Sequence, residues 1–292
     1  MMFTTLWFLL RSTIISSAPI GYAALGGVFN ERSGVVNIAL EGILLVSSFG
    51  YVAGAFFGKS AWWGLFWGIM AGLLLSLIHA IATVTFKINH IVSGVALNTI
   101  AIGVTRMLSL VMFGQETQSK TNSYTRLFGM DIQWLIALLL FLVIAPLSYW
   151  LLFKTSLGLR LRSVGENPEA ADSLGINVEK MRYTGVLIGG AIASLGGIAL
   201  YPSIWQSGIS GGRGFIGLAS MILGNWMPIR SVLASTLFGF ADALRLIDVV
   251  RKYIPNEFLT ALPYLLVLIV LAGLIGKARP PRADGVPYVR GE

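Results

Sequence analysis

The chain has no cysteine, only two histidines and few charges, with 12% of its 292 residues Asp, Glu, Lys or Arg. The missing cysteine excludes disulfides and thiolate metal sites. A soluble domain of this size carries about twice that charged fraction. Here 55% of the residues are hydrophobic and the mean hydropathy is +0.78, the composition of an integral membrane protein. No Ser/His/Asp, Cys/His or paired-carboxylate arrangement stands out, and neither His79 nor His90 has metal-like company. No catalytic or metal-binding residue is therefore assigned. The net charge of +8 invites a nucleic-acid partner. The basic residues lie between apolar runs, however, where the positive-inside rule accounts for them without one. No secretory signal with a cleavage site opens the chain, so the first apolar segment is expected to remain.

What is present is a series of apolar runs. At about 20 residues per span they allow roughly eight to ten helices and leave no soluble domain. Spans are expected at Ile14–Phe29, Val35–Phe57, Trp62–Thr85, Val92–Phe113, Ile132–Phe153, Tyr183–Leu200, Phe215–Leu223, Ser231–Ile247 and Phe258–Gly276. The fold class is all-α: one polytopic bundle of about nine spans over residues 1–292. Met1–Leu10 is expected at the membrane interface. The seventh run is short, so part of Gly208–Gly214 is expected to enter the membrane as broken helix.

One polar stretch, residues 154–182, interrupts the runs with Lys154, Arg160, Arg162, Lys180 and Arg182 against Glu166, Glu169, Asp172 and Glu179. Hydrocarbon cannot hold such a segment, so it is expected to face water. Asn167 can cap a short helix that begins at Pro168, where the missing N–H costs nothing. Glu169 then lies in the first turn, where the dipole favours an acid. Gly175 supplies a left-handed stop, and Asn177 starts the next helix. With this segment in the cytoplasm, the same side gathers Arg32, Lys87, Arg230, Lys277, Arg279, Arg282 and Arg290, the larger share of the 21 basic residues. The N-terminus is then outside and the tail, 277–292, inside. Ala23–Gly27 echoes Ala193–Gly197, and Gly34–Ala39 echoes Gly214–Ala219, as inverted repeats around a midplane path would.

The second informative stretch is Asn30–Gly42. As a helix it would place Gly34, Asn37, Glu41 and Ser48 on one face. Glu41, roughly 9 Å beyond the expected helix start, is costly there unless partnered or wet. Two readings stand: this face lines a translocation path, or Asn37 and Glu41 pin the helix to a neighbour. The fourth span repeats the stripe with Gly94, Asn98, Thr105 and Ser109. Arg106 is expected to snorkel towards headgroups. Asp242 and Arg245, three apart, are expected to neutralise each other. Ala53–Ser60 nearly spells a phosphate-binding loop but lacks its first glycine and joins two spans, so nucleotide hydrolysis must come from another chain. The loops 114–130 and 201–212 are expected to form an outer surface.

Gly165-Glu166-Asn167-Pro168-Glu169-Ala170-Ala171-Asp172-Ser173-Leu174-Gly175-Ile176 resembles the coupling segment of ABC-importer permeases of the branched-chain amino acid/ribose type. Glu31-Arg32-Ser33-Gly34-Val35-Val36-Asn37-Ile38, followed by Glu41-Gly42, resembles the nucleoside-uptake members, and their smaller permease in particular. The resemblance implies the fold of vitamin B12 importer permeases and a site in the bacterial inner membrane. It implies an ATPase subunit docking on Gly165, Glu166, Asn167, Pro168, Glu169, Ala170, Ala171 and Gly175. It further implies a second permease subunit in a heterodimer, an external substrate-binding lipoprotein and a nucleoside substrate. ATP and magnesium would sit on the ATPase, leaving this chain without a cofactor. The substrate path would run past Asn37, Glu41, Ser48, Asn98 and Thr105. Within the class, the alternative is uptake of ribose or another simple sugar. Outside it stand an ion-coupled transporter, for which neither Glu41 nor Asp242 has a partner acid, and an intramembrane enzyme.

Overall fold

The computed structural model describes residues 2–269, 272 and 278–289. The first helix, α1 (Met2–Arg32), is a single unbroken rod, so Met2–Leu10 is helical and in line with the first expected span. Then come α2 (Leu40–Gly58), α3 (Ala61–Ala80) and α4 (His90–Phe113). A wide π turn, Ile81–Thr85, ends α3, with the Phe86 amide on the Ile81 carbonyl. Lys59 takes a left-handed conformation between α2 and α3, and the Ser60 hydroxyl caps α3, so the near-phosphate-loop sequence is a helix corner.

The fifth run is α5 (Ile132–Leu139), a π turn at Leu140–Ile144 and α6 (Ala145–Lys154) in one line. A two-residue ribbon, β1 (Arg126–Leu127) with β2 (Met130–Asp131), precedes it. The polar stretch holds α7 (Ser156–Glu166) and α8 (Pro168–Ser173). Next are α9 (Val178–Ile198), α10 (Arg213–Leu223), α11 (Pro228–Leu244), α12 (Asp248–Tyr253) and α13 (Asn256–Ile269). The remainder of the ninth expected span, apart from residue 272, lies outside the described residues, as do Lys277 and Arg290.

Among the described residues, five helical segments are long and apolar enough to cross a membrane: Leu6–Arg32, Leu40–Gly58, Ala61–Thr85, His90–Phe113 and Ile132–Lys154. The first is the most buried, and α9, α10 and α11 pack around it. Small residues allow this closeness. A Cβ added at Gly26 of α1 would lie 2.5 Å from the Gly189 carbonyl oxygen and 3.0 Å from the Ala193 Cβ of α9. Within a bilayer, such backbone approach replaces the hydrophobic drive that a soluble core would use. Ala23–Gly27 and Ala193–Gly197, which echo each other in sequence, thus sit on two helices in direct contact. The second pair of echoing segments differs locally, because Gly34–Ala39 is not helical whereas Gly214–Ala219 lies inside α10.

Outward faces are apolar. On α3 and α4, Trp62, Trp63, Phe66, Trp67, Val92, Val95, Met107 and Val111 are all exposed, as lipid-facing side chains are. At the end opposite the polar stretch, the loops 114–125 and 199–212 pair through Ser119 N to Trp205 O, 2.9 Å, and Ser207 N to Thr117 O, 2.8 Å. Trp205 is fully buried beneath them.

Candidate functional site

The polar stretch folds as its sequence grammar requires. The Asn167 side chain accepts from the Ala170 amide at 3.0 Å, and Pro168 opens α8. Gly175 sits at φ +80° and stops the chain after Leu174, and Asn177 accepts from the Lys180 amide at 2.8 Å to start α9. Glu166, Glu169, Ala170, Leu174 and Gly175 are exposed, while Ala171 and Gly165 are buried. Leu174 is 81% exposed, an apolar tip beside a capped helix end. Gly165 is held by close approach, since a Cβ there would collide with the Arg32 carbonyl oxygen.

Arg182 departs from the expected water-facing segment. It is 2% exposed, and Asp284 from the tail comes in as its attractive neighbour. The tail therefore does not trail away from the bundle. Ala283 N donates to Gly165 O at 2.9 Å, Gly285 N to Gly34 O at 3.3 Å and Arg279 N to the Asn225 side chain at 2.8 Å. Burial pushes the Asp284 carboxyl up to about 9, and the Glu31 carboxylate beside it acts in the same direction. Glu31 also accepts from the Trp226 indole at 2.5 Å, while Arg32 donates to the Trp226 carbonyl at 3.1 Å and lies 3.9 Å from Glu166. The end of α1, the polar stretch, the corner after α10 and the tail meet in this one cluster.

The Asn30–Gly42 stretch is not the continuous helix that its apolar run suggests. α1 ends at Arg32, the Asn30 carbonyl accepts from the amides of Ser33 and Val35 in the turn that follows, and α2 begins only at Leu40. Backbone left open in a membrane must be satisfied from elsewhere. Here side chains do it. His90 Nδ1 accepts from Val36 N at 3.2 Å, and His79 Nε2 donates to Val36 O at 3.0 Å. That bond fixes the His79 tautomer, so its Nδ1 accepts from the Ser93 hydroxyl at 3.0 Å. Asn98 donates to Ile38 O at 3.0 Å and accepts from Gly42 N at 2.7 Å, and Asn37 accepts from Ala39 N at 2.9 Å.

Glu41 is the centre of this break. One carboxylate oxygen accepts from Gly212 N and the other from Gly214 N, each at 2.7 Å, so the side chain caps α10. The two helix starts, of α2 and α10, therefore share one carboxylate, which their dipoles favour. The depth follows from α1. Gly217 of α10 packs on Ala23 and Ala24, eight residues before Arg32 and about 12 Å along the helix. The Glu41 junction lies a further turn from Arg32, a distance comparable to half the roughly 30 Å thickness of a bilayer core.

Of the five residues expected on a path, Asn37, Glu41 and Asn98 converge on this break. Ser48 stands about 10 Å further along α2 and is buried. Thr105 is also buried and donates to the Ala101 carbonyl within its own helix, at 2.6 Å. Asp242 does pair with Arg245 at 3.1 Å, and Arg213 joins from the other side at 3.1 Å. Arg106 donates to the Ser207 hydroxyl at 2.6 Å and so bridges to the paired loops. The sequence suggests that His79 bonds a neighbouring helix, as it does through Ser93, but discloses neither histidine's hold on the Val36 backbone nor the docked tail.

With this geometry, comparison with known proteins is informative. Residues 9–271 match the family described as branched-chain amino acid transport system/permease component, and the chain belongs to it. It is a multi-pass membrane permease subunit of an ABC transporter and not itself an enzyme. It is 41% identical to the guanosine ABC transporter permease protein NupQ of Bacillus subtilis (strain 168), over 96% of each chain. It is 39% identical to the nucleoside ABC transporter permease protein NupC of Lactococcus lactis subsp. cremoris, over 98% of each. A glucose ABC transporter permease protein of Haloferax volcanii, TsgC13, is 33% identical over 82% of this chain and 77% of that one. A solved structure, an inward-facing metal-chelate type ABC transporter, superposes with a TM-score of 0.53 at 19% identity, covering 90% of this chain and 85% of that one, a likeness of fold.

Proposed function

We propose that this chain is the permease subunit of a bacterial importer that takes up nucleosides by ATP-driven alternating access. The observation that carries the reading is the end-to-end similarity to two permeases named for guanosine and nucleosides. An ATPase subunit docks on Gly165–Gly175, where α8 stands exposed and capped. A second, different permease subunit completes the path, and an external lipoprotein delivers substrate to the paired loops at the opposite end. The N-terminus is outside and the tail cytoplasmic. The nine spans form two inverted halves in the manner of vitamin B12 importer permeases. The path passes the Glu41 junction, because two helix starts meeting at mid-depth around a polar group is how a bilayer tolerates a binding site. A sugar substrate is the second reading, favoured by the Haloferax relative.

The test is ATP hydrolysis by the assembled complex in liposomes, with the binding protein loaded in turn with purine nucleosides, pyrimidine nucleosides and ribose. Stimulation by nucleosides alone is expected. Stimulation by ribose alone moves the chain to the sugar branch, and failure of any ATPase to co-purify overturns the docking segment.

A further inference from the structure

At the polar end, a cavity of about 590 Å³ opens between the start of α11, Glu166 and the docked tail. Four arginines line it (Arg32, Arg230, Arg279 and Arg282), with Glu166 as the single acid. Arg32 is committed to Trp226 and Glu166. The guanidinium groups of the other three have no ion pair among the described residues. Positive-inside topology asks only for basic residues on one side. It does not ask that they converge on one hollow, from which like charges repel each other.

The arrangement is built and not a loose fringe. The Arg279 amide is tied to Asn225, and the Arg282 amide to Glu166 at 3.4 Å. Ala283, next in sequence, is anchored on Gly165. Arg230 stands in the first turn of the 17-residue α11, whose start at Met227 has no side-chain cap. A cation in a first turn opposes the helix dipole, and it adds to the positive field of the open amides. Arginine forks, a helix start and a single carboxylate form a receptor for a multiply charged oxyanion.

We propose that this cavity binds a phosphate-bearing anion, either the headgroup of an anionic phospholipid or a soluble phosphate compound. An occupant competes with Glu166 for Arg32 and draws the tail onto the polar stretch, so the site acts on the same segment as the proposed ATPase contact. Binding is a property of this chain alone, and its failure leaves the nucleoside reading intact.

The test uses the full-length chain in nanodiscs. In phosphatidylcholine discs, pyrophosphate is titrated by calorimetry. In discs that also hold phosphatidylglycerol, retained lipid is counted by native mass spectrometry. Wild type is compared with R279A/R282A, and with R230A in case the tail variant fails to fold. Saturable pyrophosphate binding that the variants weaken by about tenfold or more, the effect of losing one charge-assisted bond, supports the soluble source. Phosphatidylglycerol retention that the variants abolish supports the lipid source. If neither anion binds wild type, or if binding ignores the variants, the proposal is overturned. Loss of ATPase co-purification without any phosphate response reassigns the arginines to a protein contact and overturns it equally.

Discussion

Glu41→Gln is the sharpest perturbation of the mid-depth junction. The carboxylate accepts from two amides, Gly212 N and Gly214 N, each at 2.7 Å. Glutamine keeps one oxygen for one of them and turns an NH2 group towards the other, donor against donor. The lost bond to a charged acceptor is worth about 1.5–3 kcal/mol. Removing the negative charge from the starts of two helices adds about 0.5–1 kcal/mol. A loss of about 2–4 kcal/mol follows, or a fall of about 4–8 °C in the unfolding temperature for a chain of this length. The assay is thermal unfolding of the purified chain in detergent, with uptake measured on the same preparation. Gly214→Ala offers a second route, because its Cβ would collide with the Glu41 backbone and part the same two helix starts. An E41Q protein that melts with the wild type would refute the shared-cap reasoning. Reduced stability with normal uptake per folded molecule leaves Glu41 a pin, and uptake lost beyond the folded fraction supports its place on the path.

Glu166→Lys combined with Ala170→Pro should uncouple ATP hydrolysis from transport while leaving membrane insertion intact, since proline removes the amide that Asn167 caps. Wild-type uptake would sink the docking assignment. His79→Phe and Asn98→Ala should each destabilise by about 1–3 kcal/mol through backbone groups left unpaired. Together they should cost less than the sum in an unfolding assay, because both support the same segment. Tail docking should depend on pH through Asp284, whose carboxyl rises from 3.8 to about 9 when buried against Glu31. The docked state holds the proton more tightly, so docking is strongest below about pH 4 and weakens as pH rises towards 9. Trypsin cleavage in the tail should therefore accelerate with pH beyond the enzyme's own profile, less steeply in D284N, and an opposite slope would contradict the pairing.

The contrast between the two motif stretches shows what a sequence can disclose. In residues 165–178 each signal acts within four residues of itself, from the Asn167 cap and the Gly175 stop to the Asn177 restart, so the local grammar suffices. In residues 34–42 the deciding partners come from far along the chain. His79, His90 and Asn98 bind backbone groups 43, 54 and 60 residues away. Read locally, Val35, Val36 and Ile38 extend an apolar run into the next span. Only the turn after Arg32 and the distant partners show that the run is irregular backbone and not helix. The same non-locality hid the tail. Its arginines read as a topological signal, whereas Asp284 and Ala283 reach back to Arg182 and Gly165.

These long-range contacts join the polar stretch to the junction by a short rigid route. Gly165 abuts the Arg32 carbonyl so closely that no side chain fits between them. Arg32 and Glu31 hold the carbonyl and the indole N–H of Trp226, the corner that follows α10. That helix is 11 residues long, about 16 Å, and its far end is the pair of amides that Glu41 caps. A helix this short moves as a body. A force that shifts Gly165 must therefore either break the Arg32–Trp226 contacts or tilt α10 against Glu41. Holding those contacts with partly buried bonds while leaving the upper end on the one Glu41 side chain puts the yielding point at that junction.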